Sequence, residues 1–80
     1  MPRSPMDKIP QRVLVHEMKR AIDLIPRDTG AVTRLRHLIE ENPRSARSSH
    51  VLRNLGRGRV AILTALARAG AVPCINEADS

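Results

Sequence analysis

The sequence predicts an all-α fold, a compact bundle of four or five short helices in which a glycine turn joins the last two. Its 80 residues make one domain, apolar residues recur at helical spacing, and the sequence has neither strand alternation nor an internal repeat. None of its 33 hydrophobic residues is aromatic, so we expect a core of Leu, Ile, Val, Ala and Met. Such a chain buries only about 60% of its unfolded surface, which predicts marginal stability unless it dimerises or binds a partner.

The first predicted helix covers about residues 10–25. Pro10 suits the first helical turn because its missing N–H is not needed there, and Pro26 ends the pattern. The apolar stripe consists of Leu14, Met18, Ala21, Ile22 and Ile25. This stripe is longer than a four-helix core needs, so the helix is a candidate for homodimer formation.

The second predicted helix covers about residues 30–42 and carries an apolar stripe of its own. Asp28 or Thr29 offers an N-cap side chain, and Asn42-Pro43 stops the helix. The stripe consists of Val32, Leu35, Leu38 and Ile39.

The remaining elements are shorter and include a glycine-rich turn. A short helix is predicted from a Ser45 cap to about Leu52, although the serines there also fit an exposed loop. Residues 54–58 are predicted to be a turn, and a final helix to cover about residues 58–69, with Gly70 at its C′ position. We expect disorder in residues 1–9, one helical domain in residues 10–73 and an acidic tail in residues 74–80.

Positive charge is concentrated in one part of the sequence. The formal net charge is +6, and residues 44–70 contain six Arg and no acidic residue. This excess indicates an acidic partner, and Arg can hold phosphate or carboxylate bidentately. Without aromatic residues the chain has neither a base-stacking platform nor an aromatic cage for a methylated amine.

Neither catalysis nor metal binding is indicated by the polar residues. His16, His37 and His50 fall on three predicted elements, whereas a zinc site needs about four ligands at fixed spacing. Ser48, Ser49 and His50 are adjacent, but no third catalytic member is marked. We therefore expect a protein that is not an enzyme and needs no cofactor or metal.

The single cysteine, Cys74, excludes an internal disulfide and suits a cytoplasmic protein. No apolar run approaches the roughly 20 residues that cross a bilayer. We expect no membrane partner.

The most specific feature is the glycine turn and the helix that follows it. Gly56 and Gly58 permit a positive φ and the close approach of another molecule. The N–H groups of residues 57–60 are expected to open the last helix, where they lack internal partners and the helix dipole favours an anion such as phosphate. Arg57 and Arg59 flank this position, and Arg53 lies one turn earlier.

This segment resembles the helix-hairpin-helix family. The apolar and glycine positions of the family pattern are occupied here by Leu52, Leu55, Gly56, Val60 and Leu63. Ribosomal and repair-enzyme hairpins match the segment equally well, and sterile-alpha-motif-like interaction domains share much of this geometry.

Residues 33–70 are also similar to the C-terminal domain of the bacterial RNA polymerase α subunit. The similarity lies in the run Asn-Leu-Gly-Arg at residues 54–57 and in a final helix that ends at Gly70. In that family the turn contributes to minor-groove and phosphate contact, which implies this role for Asn54, Gly56 and Arg57. The sequence departs from the family at Gly58 and Arg59, which replace its next basic and serine positions.

Two functions from different classes follow from these features. The first is a small DNA-binding protein of transcription or its regulation, bacterial or phage-encoded and associated with the nucleoid, which contacts duplex phosphates without sequence readout. Its candidate site consists of Arg44, Arg47, Arg53, Asn54, Gly56, Arg57, Gly58 and Arg59. The second is a small adaptor or inhibitor whose basic face binds an acidic protein surface, such as the transcription machinery or a nuclease. A homodimer is compatible with either function.

Overall fold

A computed structural model describes residues 7–74 and shows five helices and no strand within them. They are α1 (Gln11–Leu24), α2 (Gly30–Glu41), α3 (Pro43–Ala46), α4 (Ser49–Leu55) and α5 (Arg57–Arg68). The all-α fold predicted from the sequence is therefore confirmed. Residues 1–6 and 75–80, which include most of the predicted acidic tail, lie outside the described residues. In the described part, no helix has the length and apolar character needed to cross a membrane.

Helix α1 is the central element because it contacts each of the other four helices. Leu14, Met18, Ala21 and Ile22 recur at helical spacing and are at most 1% exposed. Burial of each larger side chain contributes roughly 1.5–3 kcal/mol to folding. The stripe that we considered long enough for a homodimer is thus buried within one chain, except for Ile25, which is half-buried.

The turn between α1 and α2 is fixed by backbone contacts and one side chain. The N–H of Asp28 donates to the Leu24 carbonyl at 2.8 Å, which closes the turn after α1. The Asp28 carboxylate accepts a hydrogen bond from the Gly30 N–H at 2.9 Å, whereas Thr29 forms no side-chain cap. Of the two predicted cap residues, Asp28 therefore stabilises the start of α2.

A buried amide ties the chain before α1 to the end of α2. Asn42 is 2% exposed, and its Oδ1 accepts hydrogen bonds from the Lys8 and Ile9 N–H groups at 2.7 and 3.1 Å. Its Nδ2 donates to the Leu38 carbonyl at 2.9 Å. Residues 8 and 9 belong to the segment expected to be disordered, but in the structure they are hydrogen-bonded to the core.

The region predicted as one short helix contains two, so this prediction is wrong. Pro43 occupies the first turn of α3, where a missing N–H is tolerated. The Ser48 hydroxyl then accepts a hydrogen bond from the Val51 N–H at 3.2 Å and caps a separate helix, α4. This cap restarts the helix, and α4 continues to Leu55, beyond the predicted end at residue 52.

Helix α5 ends as predicted but is packed on few sides. Gly70 has φ 81°, and the N–H groups of Gly70 and Ala71 donate to the carbonyls of Ala67 and Leu66 at 3.0 and 2.9 Å, the pattern of a Schellman motif. The chain then returns to the core through Val72, which is 5% exposed. Within α5 itself only Leu63 is buried, and the helix contacts only α1 and α4.

Candidate functional site

One glycine separates α4 from α5. Gly56 has φ 91° and ψ 159°, a conformation that is essentially restricted to glycine. Gly58 lies in the first turn of α5 and has no positive φ, so the predicted turn over residues 54–58 is wrong. A Cβ atom at either glycine would meet open space. The junction is therefore accessible on the outside of both glycines.

The N-terminus of α5 is exposed and leaves three N–H groups available. Within residues 7–74 the N–H groups of Arg57, Gly58 and Arg59 have no acceptor, and no side chain caps the helix. The Val60 N–H donates to the Gly56 carbonyl at 3.0 Å. Among the described residues, three N–H groups therefore lack an acceptor there, rather than the four expected over residues 57–60. The helix dipole adds partial positive charge at the same point.

Two arginines flank this N-terminus on the open face between α4 and α5. Arg53 and Arg57 are exposed and line a shallow depression of about 530 Å³. The other residues that line it are Leu52, Gly56, Val60 and Ala61. The depression combines an apolar floor with two guanidinium groups, so it can take an anion or an acidic partner with an apolar side chain.

Asn54 is exposed, and its side chain is held within its own helix. Its Nδ2 donates to the His50 carbonyl at 2.7 Å, the residue one turn earlier in α4. Of the three residues carried over from the RNA polymerase resemblance, Gly56 and Arg57 therefore present backbone or charge at the junction, whereas Asn54 has one of its donors engaged.

Arg59 lies at the junction but is paired with a carboxylate. Its Nε and Nη2 donate to the Asp23 carboxylate at 3.1 and 2.8 Å, and its Nη1 donates to the Leu55 carbonyl at 3.2 Å. The hydrogen bonds from Arg59 lower the pKa of Asp23, and the same contact raises that of Arg59. Arg59 thus links α5 to α1 and to the end of α4, and is less available to a ligand than Arg57.

The outer members of the predicted cluster, Arg44 and Arg47, lie at α3, which does not contact α5. The Asp7 carboxylate accepts hydrogen bonds from the Arg44 and Ser45 N–H groups, both at 3.2 Å, and from the Ser45 hydroxyl at 2.7 Å. A segment without acidic residues in the sequence therefore has two carboxylates beside it in the fold, those of Asp7 and Asp23.

The structure brings together a second basic group that the sequence analysis did not identify. Arg12, His16 and Lys19 of α1 line a cleft of about 280 Å³ with His50 of α4. Val15 and Asn54 complete its lining. The signal was present in the sequence as basic residues spaced by four and three positions along α1, on one face of a helix. What the sequence did not show was that α4 packs against that face.

In the described part of the chain, no group of three or more His, Cys, Asp or Glu residues lies close enough to hold a metal ion. Comparison of the chain with protein-family models, with curated proteins and with solved structures finds no match.

Proposed function

We propose that this protein is a small, non-enzymatic DNA-binding protein that contacts duplex phosphates through the start of α5. The observation that supports this most directly is the exposed N-terminus of α5, where three amide N–H groups without an acceptor lie beside Arg53 and Arg57. A phosphate oxygen can accept from these amides while a guanidinium neutralises its charge. The resemblance of the junction to helix-hairpin-helix proteins supports the same function.

Contacts of this kind position a protein on DNA without reading its sequence. Affinity is then expected to depend steeply on salt and little on base sequence. We place the protein in the bacterial cytoplasm on the nucleoid, bacterial or phage-encoded, in transcription or its regulation.

The test is a salt titration of the full chain with a fluorescently labelled duplex. Arg53→Gln combined with Arg57→Gln should reduce the slope of log affinity against log salt by about 1.8, because each phosphate contact contributes about 0.9. The matched control is Arg34→Gln combined with Arg36→Gln, which removes two exposed charges from α2, a helix without contact to α4 or α5. Absence of duplex binding by the unmodified protein at low salt would overturn the proposal, as would equal effects of the two double variants.

A second candidate function is favoured by the apolar floor of the depression. Leu52, Val60 and Ala61 line it, and Ile62 on α5 is 42% exposed. Duplex phosphates make no use of such a surface, whereas an acidic protein partner with apolar side chains does. This adaptor or inhibitor function predicts a partner that survives nuclease treatment of the lysate and binds less to Leu52→Ala, a change that removes apolar area and adds no charge beside Arg53 and Arg57.

A further inference from the structure

We propose that the cleft between α1 and α4 is a second phosphate-binding site, and that it takes two backbone phosphates of the same duplex that contacts α5. This inference deepens the proposed function and rests on it. Arg12, His16, Lys19 and His50 provide the polar lining of the cleft together with Asn54.

The α1 residues form one row along the cleft. Arg12, His16 and Lys19 are spaced by four and then three positions, so their side chains leave the helix on the same side. From first to last they cover about 10 Å of helix axis. Successive phosphates of one DNA strand rise by about 3.4 Å, so the row matches a short stretch of backbone rather than a single base.

The charge of the cleft is not neutralised by its own walls. None of the six lining residues is acidic, and among residues 7–74 neither Arg12 nor Lys19 forms an ion pair. The Asp23 carboxylate, one turn further along α1 from Lys19, is hydrogen-bonded to Arg59. An anion is therefore the ligand class that fits the cleft.

The cleft lies close to the glycine junction along α4. Asn54 lines the cleft and lies two residues before Gly56, and its amide donates to the His50 carbonyl on the same helix. One strand of a duplex can therefore contact α1 and the start of α5 across the last turn of α4. The proposal thus includes the cleft in the interface, although three of its four basic side chains lie outside the arginine-rich segment of residues 44–70.

The decisive variant is Arg12→Gln combined with Lys19→Gln, which removes two charges and keeps a polar side chain at each position. Circular dichroism checks that it remains helical. Its control is again Arg34→Gln combined with Arg36→Gln. In the duplex titration we expect the slope of log affinity against log salt to fall by about 1.8 for the cleft variant and to stay unchanged for the control. An unchanged slope for the cleft variant, with normal duplex binding by the unmodified protein, overturns the inference and leaves the proposed function standing.

A second measurement examines the cleft without DNA. Inorganic phosphate is titrated into the full chain while the imidazole signals of His16 and His50 are followed by NMR, with His37 of α2 as the internal control. We expect the first two to shift together, and the shift to disappear in the cleft variant. If the unmodified protein fails to bind duplex but shows this shift, the proposed function is overturned and the cleft remains a phosphate site. If the imidazole signals of His16 and His50 do not shift, the cleft is not a phosphate-binding site.

Discussion

Replacement of Asp23 by Asn should strengthen DNA binding, because it releases Arg59. In the structure the Arg59 guanidinium donates two hydrogen bonds to the Asp23 carboxylate, at 2.8 and 3.1 Å. Both side chains are accessible to solvent, 34% for Arg59 and 57% for Asp23, so the pair competes directly with any phosphate at the start of α5. An Asn side chain has nearly the same shape but no charge, so it holds the guanidinium less strongly and a phosphate can compete for it.

The magnitude follows from the salt dependence of phosphate contacts. One additional contact steepens the slope of log affinity against log salt by about 0.9. Between about 50 and 200 mM salt, the variant should therefore lose affinity about 3.5-fold more than the unmodified protein. At the lowest salt concentration it should bind more tightly.

The assay is the anisotropy of a labelled duplex at four or more salt concentrations. Glu40→Gln is the matched control, since it removes the same charge from an exposed residue of α2, which has no contact with α5. If Asp23→Asn and Glu40→Gln give the same slope of log affinity against log salt, the gain in affinity comes from net charge alone. A slope equal to that of the unmodified protein would refute the competition between Asp23 and a phosphate.

Three further predictions concern the fold, with unfolding followed by circular dichroism in urea because the chain has no aromatic fluorophore. Asn42→Ala removes three hydrogen bonds at a buried site and should lower the free energy of unfolding by about 2–4 kcal/mol; a loss below about 1 kcal/mol would contradict the role of this amide. Gly56→Ala should lower the free energy of unfolding by about 1–3 kcal/mol, because Gly56 has a positive φ. Gly58→Ala should raise it by about 0.5–1 kcal/mol, because Gly58 lies in helical backbone with open space around it. Equal effects of the two variants would refute this distinction. The ion pair between Asp23 and Arg59 should stabilise the fold at pH values above the ordinary carboxyl pKa of 3.8, and this stabilisation should disappear as the pH falls through the lowered pKa of Asp23. An NMR titration should show the pKa of Asp23 move up towards 3.8 in Arg59→Gln.

The long helices were predictable because their signals are local. The apolar stripe of α1 and the prolines at its ends set its limits to within one residue, and Gly70 marked the end of α5. The errors occurred where a single side chain decides the outcome. Ser48 divides one predicted helix into two through its cap. The expected turn at residues 54–58 shrinks to Gly56 because a glycine such as Gly58 is tolerated in the first turn of a helix.

The candidate site was predictable only in its local part. The glycine junction, Arg53 and Arg57 follow from neighbouring residues of the sequence. The two carboxylates beside this segment do not, because Asp7 and Asp23 are more than 30 residues away from Arg44 and Arg59, which donate hydrogen bonds to them. Contacts at such separations depend on how the helices pack, which sequence periodicity does not specify.

The amino-acid composition connects the weak packing of α5 with the proposed binding surface. Without aromatic side chains, each helix contributes only aliphatic area to the core, and α5 contributes a single buried residue, Leu63. Helices with few buried contacts open at lower free energy than central ones such as α1. A ligand that contacts α1, α4 and α5 together binds only when α5 is in place, so its binding free energy adds to the stability of this helix. If the proposed function holds, the core and the basic surface are coupled, because an anionic partner that contacts these three helices would stabilise α5, the long helix with the fewest buried residues.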